Sequence, residues 1–404
     1  MSPLNAHCQI DRYNDALNAL VENDQLRSCK QIIFTDETGI SVEVDGQPAL
    51  CFCSNDYLGL SKDEHLKTAA IKAIEQYGVG SGGSRLVTGT SALATSLEKA
   101  IAEFKQTESA LVFSSGYQAN ISILQALLKP GDWVFSDQLN HASLVDGCFL
   151  SGARWSRYRH LNLAHLAQKM EKAPSAARKW IVTDSVFSMD GDTADLNALA
   201  DLAATYNALL MVDEAHATGL FGEKRSSGLC EAQNASSQVA LQMGTFSKAL
   251  GGSGAYVAGA KPLIETLVNK ARGFIYSTAP ALPALGAALR AVQLVQEDTS
   301  LKQQLWRNVA LFETCIQQEG LTPYFQLPLQ SPIVPLLVED SRKALHLSRS
   351  LLAAGFFIQA IRPPTVQPNA ARLRITLNAR HTPAQIIALT STLKQALTSS
   401  LTLQ

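Results

Sequence analysis

Short apolar runs alternate with segments of helical periodicity through the central part of the chain. Six such runs, each followed by a small polar loop, lie at 110–113, 132–137, 180–184, 208–216, 239–243 and 255–259. Runs that are apolar on both faces and alternate with helices are typical of parallel strands covered by helices on each side. In sheets of this kind, ligands bind in the loops at the carboxyl ends of the strands. The pattern therefore predicts an α/β fold with its chemistry in those loops.

The regions before and after this alternation have different patterns. Residues 8–23 have an amphipathic helical pattern, 32–44 are rich in β-forming residues, and helical patterns follow at 63–77 and 92–104. Two long helical patterns, 281–297 and 300–318, precede a stretch of about 75 residues that indicates strand, helix, strand, strand and helix. We predict three parts: an N-terminal segment (1–54), a large domain with a mostly parallel sheet (55–285) and a smaller C-terminal α+β domain (286–404).

The composition narrows the class of protein. The 404 residues carry a net charge of -1 at pH 7, so no basic excess favours nucleic acid or an anionic membrane as a partner. Charged residues are 17% of the chain, below the usual ~25%, which indicates a large core or a subunit interface. The seven cysteines lack zinc-ligand spacing, and no secretory signal or membrane span is evident. We expect a soluble cytoplasmic protein with reduced cysteines and no bound metal.

The glycine-rich segment 78–83 satisfies the GxGxxG pattern of dinucleotide-binding proteins. That fingerprint requires a strand before the glycines and a helix that begins within them. Here a helical pattern ends at Gly78, so we interpret these glycines as positions of close backbone approach. The chain also lacks the GxxxxGK[ST] and GxSxG motifs, which argues against P-loop nucleotide binding and α/β-hydrolase chemistry.

Polar residues follow several of the predicted strands, where a ligand site is expected. Asp213 either caps the following turn or faces the active-site loops as an anion. Lys248, in a loop rich in glycine and hydroxyl side chains, is either solvated or functional, and His141 is either a helix cap or a site residue. Residues 115–117 open a helix, whose free N–H groups and dipole favour a phosphate.

Together these residues match the requirements of pyridoxal phosphate. This cofactor needs an amine for a Schiff base, a carboxylate that keeps its ring nitrogen protonated, and donors for its phosphate. Lys248 supplies the amine, Asp213 the carboxylate and residues 115–117 the donors, each at the end of a predicted strand. The combination predicts pyridoxal 5'-phosphate as the cofactor.

Eight motifs resemble the α-oxoamine synthases, a family of fold-type I pyridoxal-phosphate-dependent transferases. They are SNDYLGL (54–60), GVGSGGSRLVTG (78–89), SSGYQAN (114–120), LNHASLVDG (139–147), TDSVFSMDGD (183–192), DEAHATG (213–219), GTFSKALGG (244–252) and FIYST (274–278). The motifs stand in the family's order, and the resemblance runs from residue 27 to 390. The C-terminal segments AIRPPTV (360–366) and ARLRITLNARHT (371–382) are most similar to the branch that makes 8-amino-7-oxononanoate for biotin.

The resemblance implies a role for each residue that matches a family motif. The catalytic residues are Lys248, which forms the imine and takes the Cα proton, Asp213 at the ring nitrogen, and His141 stacked on the ring. The other cofactor-binding residues are Ser115, Gly116, Tyr117 and Thr245 at the phosphate, Thr278 reaching it from a second subunit, and Ser188 and His216 at the phenolic oxygen. The substrate-binding residues are Arg374 at the amino acid carboxylate, Arg27 and Arg362 at the far carboxylate of a pimeloyl chain, and Asn55 and Thr365.

The implied reaction joins L-alanine to a pimeloyl thioester, carried by CoA or by an acyl carrier protein, with loss of CO₂. The implied assembly is a homodimer with shared active sites. Three alternatives remain: another α-oxoamine synthase (of the glycine C-acetyltransferase or 5-aminolevulinate synthase type), a plain aminotransferase, and a non-catalytic protein that binds pyridoxal phosphate. The chain departs from the family pattern at Thr95, Ala217, Gln367 and 222–228, none of which is assigned to the chemistry.

Overall fold

The computed structural model describes residues 4–401. The N-terminal part contains α1 (Leu4–Glu22), β1 (Ile32–Phe34), β2 (Ser41–Val44) and β3 (Gln47–Cys51). The central part contains α2 (Glu64–Tyr77), α3 (Ala92–Lys105), β4 (Ser109–Phe113), α4 (Gly116–Leu127), β5 (Trp133–Asp137), α5 (Ala142–Leu150), β6 (Arg154–Tyr158), α6 (Leu163–Met170), β7 (Lys179–Asp184), α7 (Leu196–Thr205), β8 (Ala208–Asp213), α8 (Leu229–Ala232), β9 (Leu241–Thr245), β10 (Ala255–Gly259), α9 (Lys261–Lys270) and α10 (Arg272–Ile275). The C-terminal part contains α11 (Leu282–Glu297), α12 (Ser300–Gln318), a 3-10 turn (Thr322–Tyr324), β11 (Ile333–Glu339), α13 (Ser341–Ala353), β12 (Phe356–Phe357), β13 (Gln359–Ile361), β14 (Ala371–Thr376) and α14 (Pro383–Leu401).

A seven-stranded sheet forms the centre of the fold, in the order β4-β10-β9-β8-β7-β5-β6. The strands from β9 to β6 run parallel, whereas β10 is antiparallel to both of its neighbours, β4 and β9. Every residue of β7 and β9 is buried, because both faces of the sheet are covered. Alternate residues enter two separate hydrophobic cores, as Ile181 and Val182 do. The predicted α/β fold with a large, mostly parallel sheet is confirmed.

Two smaller sheets connect the two ends of the chain. β1, β2 and β3 form an antiparallel sheet, and β12 adds to it in parallel, with Phe356 paired to Leu50. β11, β14 and β13 form a second antiparallel sheet, against which α13 packs. Backbone hydrogen bonds therefore tie the N-terminal strands to the C-terminal part. The predicted domain boundaries, after residues 54 and 285, stay a prediction.

α1 agrees with the amphipathic pattern of residues 8–23, but its apolar face is exposed in the single chain. Ile10, Tyr13 and Val21 are 57%, 72% and 56% exposed. An apolar patch that is open to water is characteristic of a surface that another protein covers. None of the helices within residues 4–401 is long and apolar enough to cross a membrane.

In the glycine segment 78–83 after α2, the predicted close approach is found at Gly83 and not at Gly78 or Gly80: a Cβ atom on Gly83 would lie 2.5 Å from Oγ1 of Thr88, whereas one on Gly78 or Gly80 would have nothing within 4 Å. α2 ends at Tyr77, and Gly78 follows with a φ of 84°. Because a helix and not a strand precedes the loop, its GxGxxG pattern is not a dinucleotide fingerprint. A Cβ atom on Gly89 would lie 2.5 Å from the carbonyl oxygen of Gly83 and 2.6 Å from Cβ of Ala279. Only glycine fits there without a shift of the backbone.

Three strands differ from the sequence prediction. β6 has no counterpart among the predicted runs because it is an edge strand, and Arg154 and Arg157 on it are exposed. β9 begins two residues later than predicted, at Leu241, and continues to Thr245. The strand predicted at 208–216 ends at Asp213, where a turn begins. Residues 239–240 and 214–216, which the pattern assigned to strands, therefore lie in loops, the first pair before β9 and the second group after β8.

Candidate active site

One cavity lies at the carboxyl ends of the parallel strands. β7 and β8 end side by side, with Asp184 paired to Asp213, and β9 ends next to them. The cavity has a volume of about 160 Å³. The predicted site residues that line it are Gly116, Tyr117, His141, Asp213, His216, Thr245 and Lys248. With Asp184, which also lines the cavity, the fold brings together residues from five of the eight motifs.

Lys248 lies in this cavity and is not a solvated loop lysine. Its Nζ is 2.7 Å from Nε2 of His216. Burial is the main cause that lowers the pKa of Lys248, to about 8, although the charges of Asp213 and Asp184 act in the opposite direction. An amine with this pKa is partly neutral near pH 7.5, which a nucleophilic lysine requires.

A chain of hydrogen bonds holds His216 against the lysine. The hydroxyl of Tyr57 lies 2.7 Å from Nδ1 of His216, donates to Oδ1 of Asn55 at 3.2 Å and accepts from Arg374 at 3.3 Å. Since the tyrosine's only hydrogen goes to Asn55, Nδ1 of His216 is the donor to Tyr57, and Nε2 accepts from Lys248. Burial, together with the charge of Lys248, lowers the pKa of His216 well below its usual value, which agrees with a neutral ring.

Asp213 both caps a turn and faces the cavity, so both alternatives weighed for it from the sequence are observed. Its Oδ1 accepts from the backbone N of Ala215 at 2.9 Å, and its Oδ2 accepts from Nδ2 of Asn120 at 2.8 Å. Burial and the negative charge of Asp213 raise the pKa of the neighbouring Asp184 well above the usual value for a carboxylic acid. Asp213 is 3% exposed, so its carboxylate acts in a nearly dry site.

His141 caps a helix and also lines the cavity. It is the N-cap of α5, and its Nδ1 accepts from the backbone N of Ser143 at 3.3 Å. The backbone N of His141 donates to Asp184 at 2.7 Å. Burial lowers the pKa of His141, while the charge of Asp213 raises it by less. The helix-cap alternative is therefore observed, and it places the histidine at the cavity wall.

The N-terminus of α4 borders the cavity. Ser115 is the N-cap, and its Oγ accepts from the backbone N of Gln118 at 3.3 Å. Gly116 and Tyr117, in the first turn, have N–H groups with no acceptor inside the helix, so these groups are available to an anion. The Tyr117 hydroxyl donates to Asp146, which holds the side chain at the cavity mouth.

Thr245 lines the cavity, and Thr278 does not. Oγ1 of Thr245 donates to the carbonyl oxygen of Gly254 at 2.8 Å and lies 2.7 Å from Oγ of Ser247. Thr278 borders a small separate space together with Ser114, whose hydroxyl is 3.4 Å from the Thr278 carbonyl oxygen. Within one chain, therefore, Thr278 does not reach the Lys248 cavity.

Arg374 is buried, which excludes the surface arginine weighed as its alternative. It is 6% exposed, and its Nε donates to the carbonyl oxygen of Ser188 at 2.5 Å. Its second contact is the Tyr57 hydroxyl, through which it joins the hydrogen bonds of the lysine. Arg372, two residues earlier on β14, pairs with Asp190 at 2.5 Å instead. Ser188 thus meets the site through its backbone.

Arg27, Arg362 and Thr365, but not Asn55, lie in a second cavity of about 540 Å³. Basic and hydroxyl side chains line it, among them Arg27, Lys30, Arg349, Arg362 and Thr365. Nη2 of Arg27 donates to Oγ1 of Thr365 at 2.8 Å, and Arg362 donates to the carbonyl oxygen of Asp24. Gln359 of β13 also lines this cavity and pairs with Arg374 of β14. Two neighbouring strands therefore connect the second cavity to Arg374, which contacts Tyr57 in the hydrogen-bond chain that reaches Lys248.

The sequence reasoning missed several polar side chains at the site: Tyr57, Asn120, Ser143 and Asp184. Each lies within a motif quoted above, which was the available signal. The local pattern does not distinguish which side chains of a motif turn towards the cavity. In the part of the chain that the structure describes, no three His, Cys, Asp or Glu side chains form a group that could hold a metal ion.

Comparison with known proteins gives the family. The model of the aminotransferase class I and II family matches residues 48–393. The chain belongs to this family. The match includes every residue of the Lys248 cavity and leaves out α1, whose apolar face is exposed.

Curated relatives carry the name 8-amino-7-oxononanoate synthase. The chain is 47% identical over 367 residues to that of Geobacter sulfurreducens, which covers 90% of this chain and 92% of the relative. It is 38% identical over 385 residues to that of Lysinibacillus sphaericus, and this match covers 95% of this chain and 97% of the relative. The resemblance to this branch of the α-oxoamine synthases, predicted from the motifs, is confirmed.

Solved structures share the fold. A serine palmitoyltransferase from S. paucimobilis, with a bound PLP–myriocin aldimine, aligns over the whole of both chains with a TM-score of 0.90 and 27% identity. An 8-amino-7-oxononanoate synthase from Francisella tularensis aligns over 87% of this chain and 99% of its own, with a TM-score of 0.74 and 28% identity. The predicted fold of a fold-type I pyridoxal-phosphate transferase is confirmed.

Proposed function

We propose that this protein is a pyridoxal-phosphate-dependent acyltransferase that makes 8-amino-7-oxononanoate from L-alanine and a pimeloyl thioester, as in biotin biosynthesis. A bond forms between Cα of alanine and the acyl carbonyl carbon, the thiol leaves, and the alanine carboxylate is lost as CO₂. The observation that carries the proposal is the cavity in which Lys248 meets His216 and Asp213. The name shared by the relatives supports the choice of substrates.

The residues at this cavity fit pyridoxal phosphate. Lys248 offers an amine with a lowered pKa, Asp213 a buried carboxylate, and the first turn of α4 offers N–H groups to a phosphate. When bound, the cofactor supplies an aldehyde that reacts with amines and a ring that accepts electron density from Cα.

Lys248 holds the cofactor and later moves a proton. Its neutral amine would hold the cofactor through the aldehyde, and Nζ, once freed by alanine, would be the base for the Cα proton. His216 accepts a hydrogen bond from Nζ and so directs the amine. His216 lines the cavity and would bind the phenolic oxygen of the cofactor, and Ser188 meets the site through its backbone contact with Arg374.

Asp213 and His141 act on the cofactor ring. Asp213 would keep a proton on the ring nitrogen of the bound cofactor, and its bonds from Ala215 and Asn120 fix both of its oxygens for this task. His141, fixed as the cap of α5, would cover one face of the ring. Thr245 and the first turn of α4, with Gly116 and Tyr117, border the same cavity and would hold the phosphate, next to the helix cap Ser115.

Arg374 binds the carboxylate of alanine. A guanidinium matches a carboxylate with two parallel hydrogen bonds, and burial strengthens such a pair. The contacts with Ser188 and Tyr57 hold the guanidinium in place, and Asn55 holds Tyr57 in turn. A fixed carboxylate orients the Cα–H bond towards Lys248.

The second cavity binds the acyl donor. Its basic side chains suit an anionic group, which is either the far carboxylate of a pimeloyl chain or the phosphates of its carrier. Arg27 and Thr365 are already joined by a hydrogen bond, and Arg362 is held by the Asp24 carbonyl. The strand pair that links this cavity to Arg374 gives a path between the two substrates.

A second copy of the chain completes the assembly. The exposed apolar face of α1 needs a covering surface, and the low charge content points to a subunit interface. In a homodimer, Thr278 of one chain reaches the phosphate bound by the other. Mixing an inactive Lys248→Ala chain with an inactive Thr278→Ala chain should restore some activity through mixed dimers. No restored activity would contradict the shared site.

The experiment that tests the function is a measurement of free thiol released from a panel of acyl thioesters. Pimeloyl thioesters of CoA and of acyl carrier protein are compared with acetyl, succinyl and palmitoyl thioesters, each with L-alanine, glycine or L-serine. We expect the pimeloyl donor with L-alanine to give the highest kcat/KM. Glycine with a short donor would indicate a sister activity. A keto acid formed without release of thiol would indicate an aminotransferase. Binding of the cofactor without any turnover would indicate a non-catalytic protein.

A matched pair of lysine variants tests the central residue. Lys248→Ala should abolish turnover and the absorbance that borohydride bleaches in the wild type. Lys179 is also buried, at 6% exposure, but it donates only to the carbonyl oxygens of Ser175 and Ala177. Lys179→Ala should keep both properties. Full activity in Lys248→Ala would contradict the assignment of Lys248 as the residue that binds the cofactor.

A further inference from the structure

Asn120 connects the two residues assigned to the cofactor ring. Its Nδ2 donates to Oδ2 of Asp213 at 2.8 Å and also to Oγ of Ser143 at 2.9 Å. Oγ of Ser143 lies 2.7 Å from Nδ1 of His141. Asn120 and Ser143 are buried, at 1% and 0% exposure, and both border the Lys248 cavity. A continuous line of hydrogen bonds therefore runs from Asp213 to His141.

This line fixes which nitrogen of His141 carries the proton. The backbone N of Ser143 can only donate, and it donates to Nδ1 of His141 at 3.3 Å. Oγ of Ser143 accepts from Asn120, which leaves its own hydrogen free to donate to the same Nδ1. Nδ1 is thus an acceptor twice over, and a neutral His141 has its proton on Nε2.

The orientation of the Asn120 amide is also determined. An ionised carboxylate only accepts, so Nδ2 and not Oδ1 of Asn120 must face Asp213. In this orientation Oδ1 is buried without a hydrogen-bond partner. A buried unpaired carbonyl is unfavourable, so it is the two bonds from Nδ2 that determine how the amide is oriented.

We propose that Asn120 and Ser143 are positioning residues that fix the Asp213 carboxylate and the His141 tautomer as one unit. This inference rests on the proposed function, in which these two side chains contact the cofactor ring. Asn120 holds Oδ2 of Asp213 in place, so that the carboxylate keeps its direction towards the ring nitrogen. Ser143 donates to Nδ1 of His141, so that His141 presents an Nε2–H donor while its ring covers the cofactor.

The test uses protein loaded with pyridoxal phosphate that carries ¹⁵N in its ring, and ¹⁵N-labelled histidine. Asn120→Leu keeps the side-chain volume and removes both hydrogen bonds, whereas Ser143→Ala removes only the bond to His141. Ser122→Ala, which changes a buried serine on α4 two residues beyond Asn120, is the matched control. The ¹⁵N signals of the ring nitrogen and of His141 are compared with those of the wild type. The His141 signals are identified by their absence in His141→Asn.

We expect Asn120→Leu to shift both signals: the ring nitrogen towards its unprotonated form, and His141 towards a mixture of tautomers. Ser143→Ala should shift the His141 signals alone, and Ser122→Ala should shift neither. For Asn120→Leu, kcat should fall by about tenfold or more with little change in KM for L-alanine. Losses of about this size are typical when the side chains that orient metal-ligating histidines are removed, and Asn120 has a comparable orienting role here.

Unchanged signals in a folded Asn120→Leu protein overturn the proposal. If that variant does not load the cofactor, Ser143→Ala decides alone, and His141 signals at their wild-type positions overturn it. The two spectroscopic readouts need only bound cofactor and no product. They therefore distinguish a failure of this inference from a failure of the proposed condensation reaction.

Discussion

The environment of Lys248 leads to a quantitative prediction for cofactor capture. Burial, with a smaller contribution from Arg374, lowers the pKa of Lys248 to about 8, against the raising effect of Asp213 and Asp184. His216 does not compete for the proton, because its own pKa is well below the usual value. The neutral amine is the form that attacks an aldehyde. Capture should therefore follow the titration of this one lysine.

The size of the effect follows from the two pKa values. With a pKa of about 8, roughly a quarter of Lys248 is neutral at pH 7.5. A solvated lysine, with a pKa near 10.4, is about 0.1% neutral at the same pH. The protein thus makes the reactive amine about 200-fold more abundant than a surface lysine would at that pH. Above pH 8 the rate should at most about double, and it should level off above about pH 9.

The assay is rapid mixing of cofactor-free protein with pyridoxal phosphate, followed by the absorbance of the imine between pH 6.5 and 10. We expect the capture rate to rise with pH and level off, with a midpoint near pH 8. Arg374→Met removes a positive charge that lowers the pKa, so its midpoint should move to higher pH. Asp213→Asn should move the midpoint to lower pH, since the carboxylate raises this pKa.

Two outcomes would refute this reasoning. A rate that still increases steeply at pH 10 would mean that Lys248 titrates like a solvated lysine. Midpoints that move in the same direction in Arg374→Met and Asp213→Asn would mean that charge does not control the amine. Lys179→Ala, which changes a buried lysine away from the cavity, should have the wild-type midpoint and serves as the control.

Two further predictions concern stability. Lys105→Met leaves the fully buried Glu214 without its ion-pair partner and should cost about 3–5 kcal/mol in urea unfolding, whereas replacing both residues by Met should recover most of this. His160 lies between Asp137 and Asp192, which raise its pKa to about 10 despite its burial. The difference in unfolding free energy between the wild type and His160→Asn should be largest below about pH 6.5. It should decline by roughly 2–3 kcal/mol as the pH rises to about 10. A difference that stays constant with pH would contradict the second prediction.

The sequence predicts the elements of this fold where burial is uniform. β7 and β8 are found near their predicted positions because each is apolar on both faces, a pattern that only a covered sheet explains. β6 was not found because an edge strand has one side in water and shows no apolar run. The exposure of Tyr13 and its neighbours on α1 was also beyond prediction, since amphipathicity does not say which molecule covers a face.

The candidate site could be predicted only where chemistry constrains the residue type. Lys248 and Asp213 were found because the cofactor needs an amine and a carboxylate at strand ends. Tyr57 was missed because its contact with His216 joins positions 159 residues apart, which no local pattern encodes. The same holds for Asn120, 93 residues from Asp213. Both depend on the packing of whole elements.

One isotope measurement tests the central claim most directly. L-alanine labelled with ¹³C at its carboxyl carbon is incubated with the protein, pyridoxal phosphate and a pimeloyl thioester, and CO₂, thiol and product are measured together. The account predicts equal amounts of ¹³CO₂, free thiol and unlabelled 8-amino-7-oxononanoate. Labelled pyruvate without free thiol, or a product that retains the ¹³C, would contradict it.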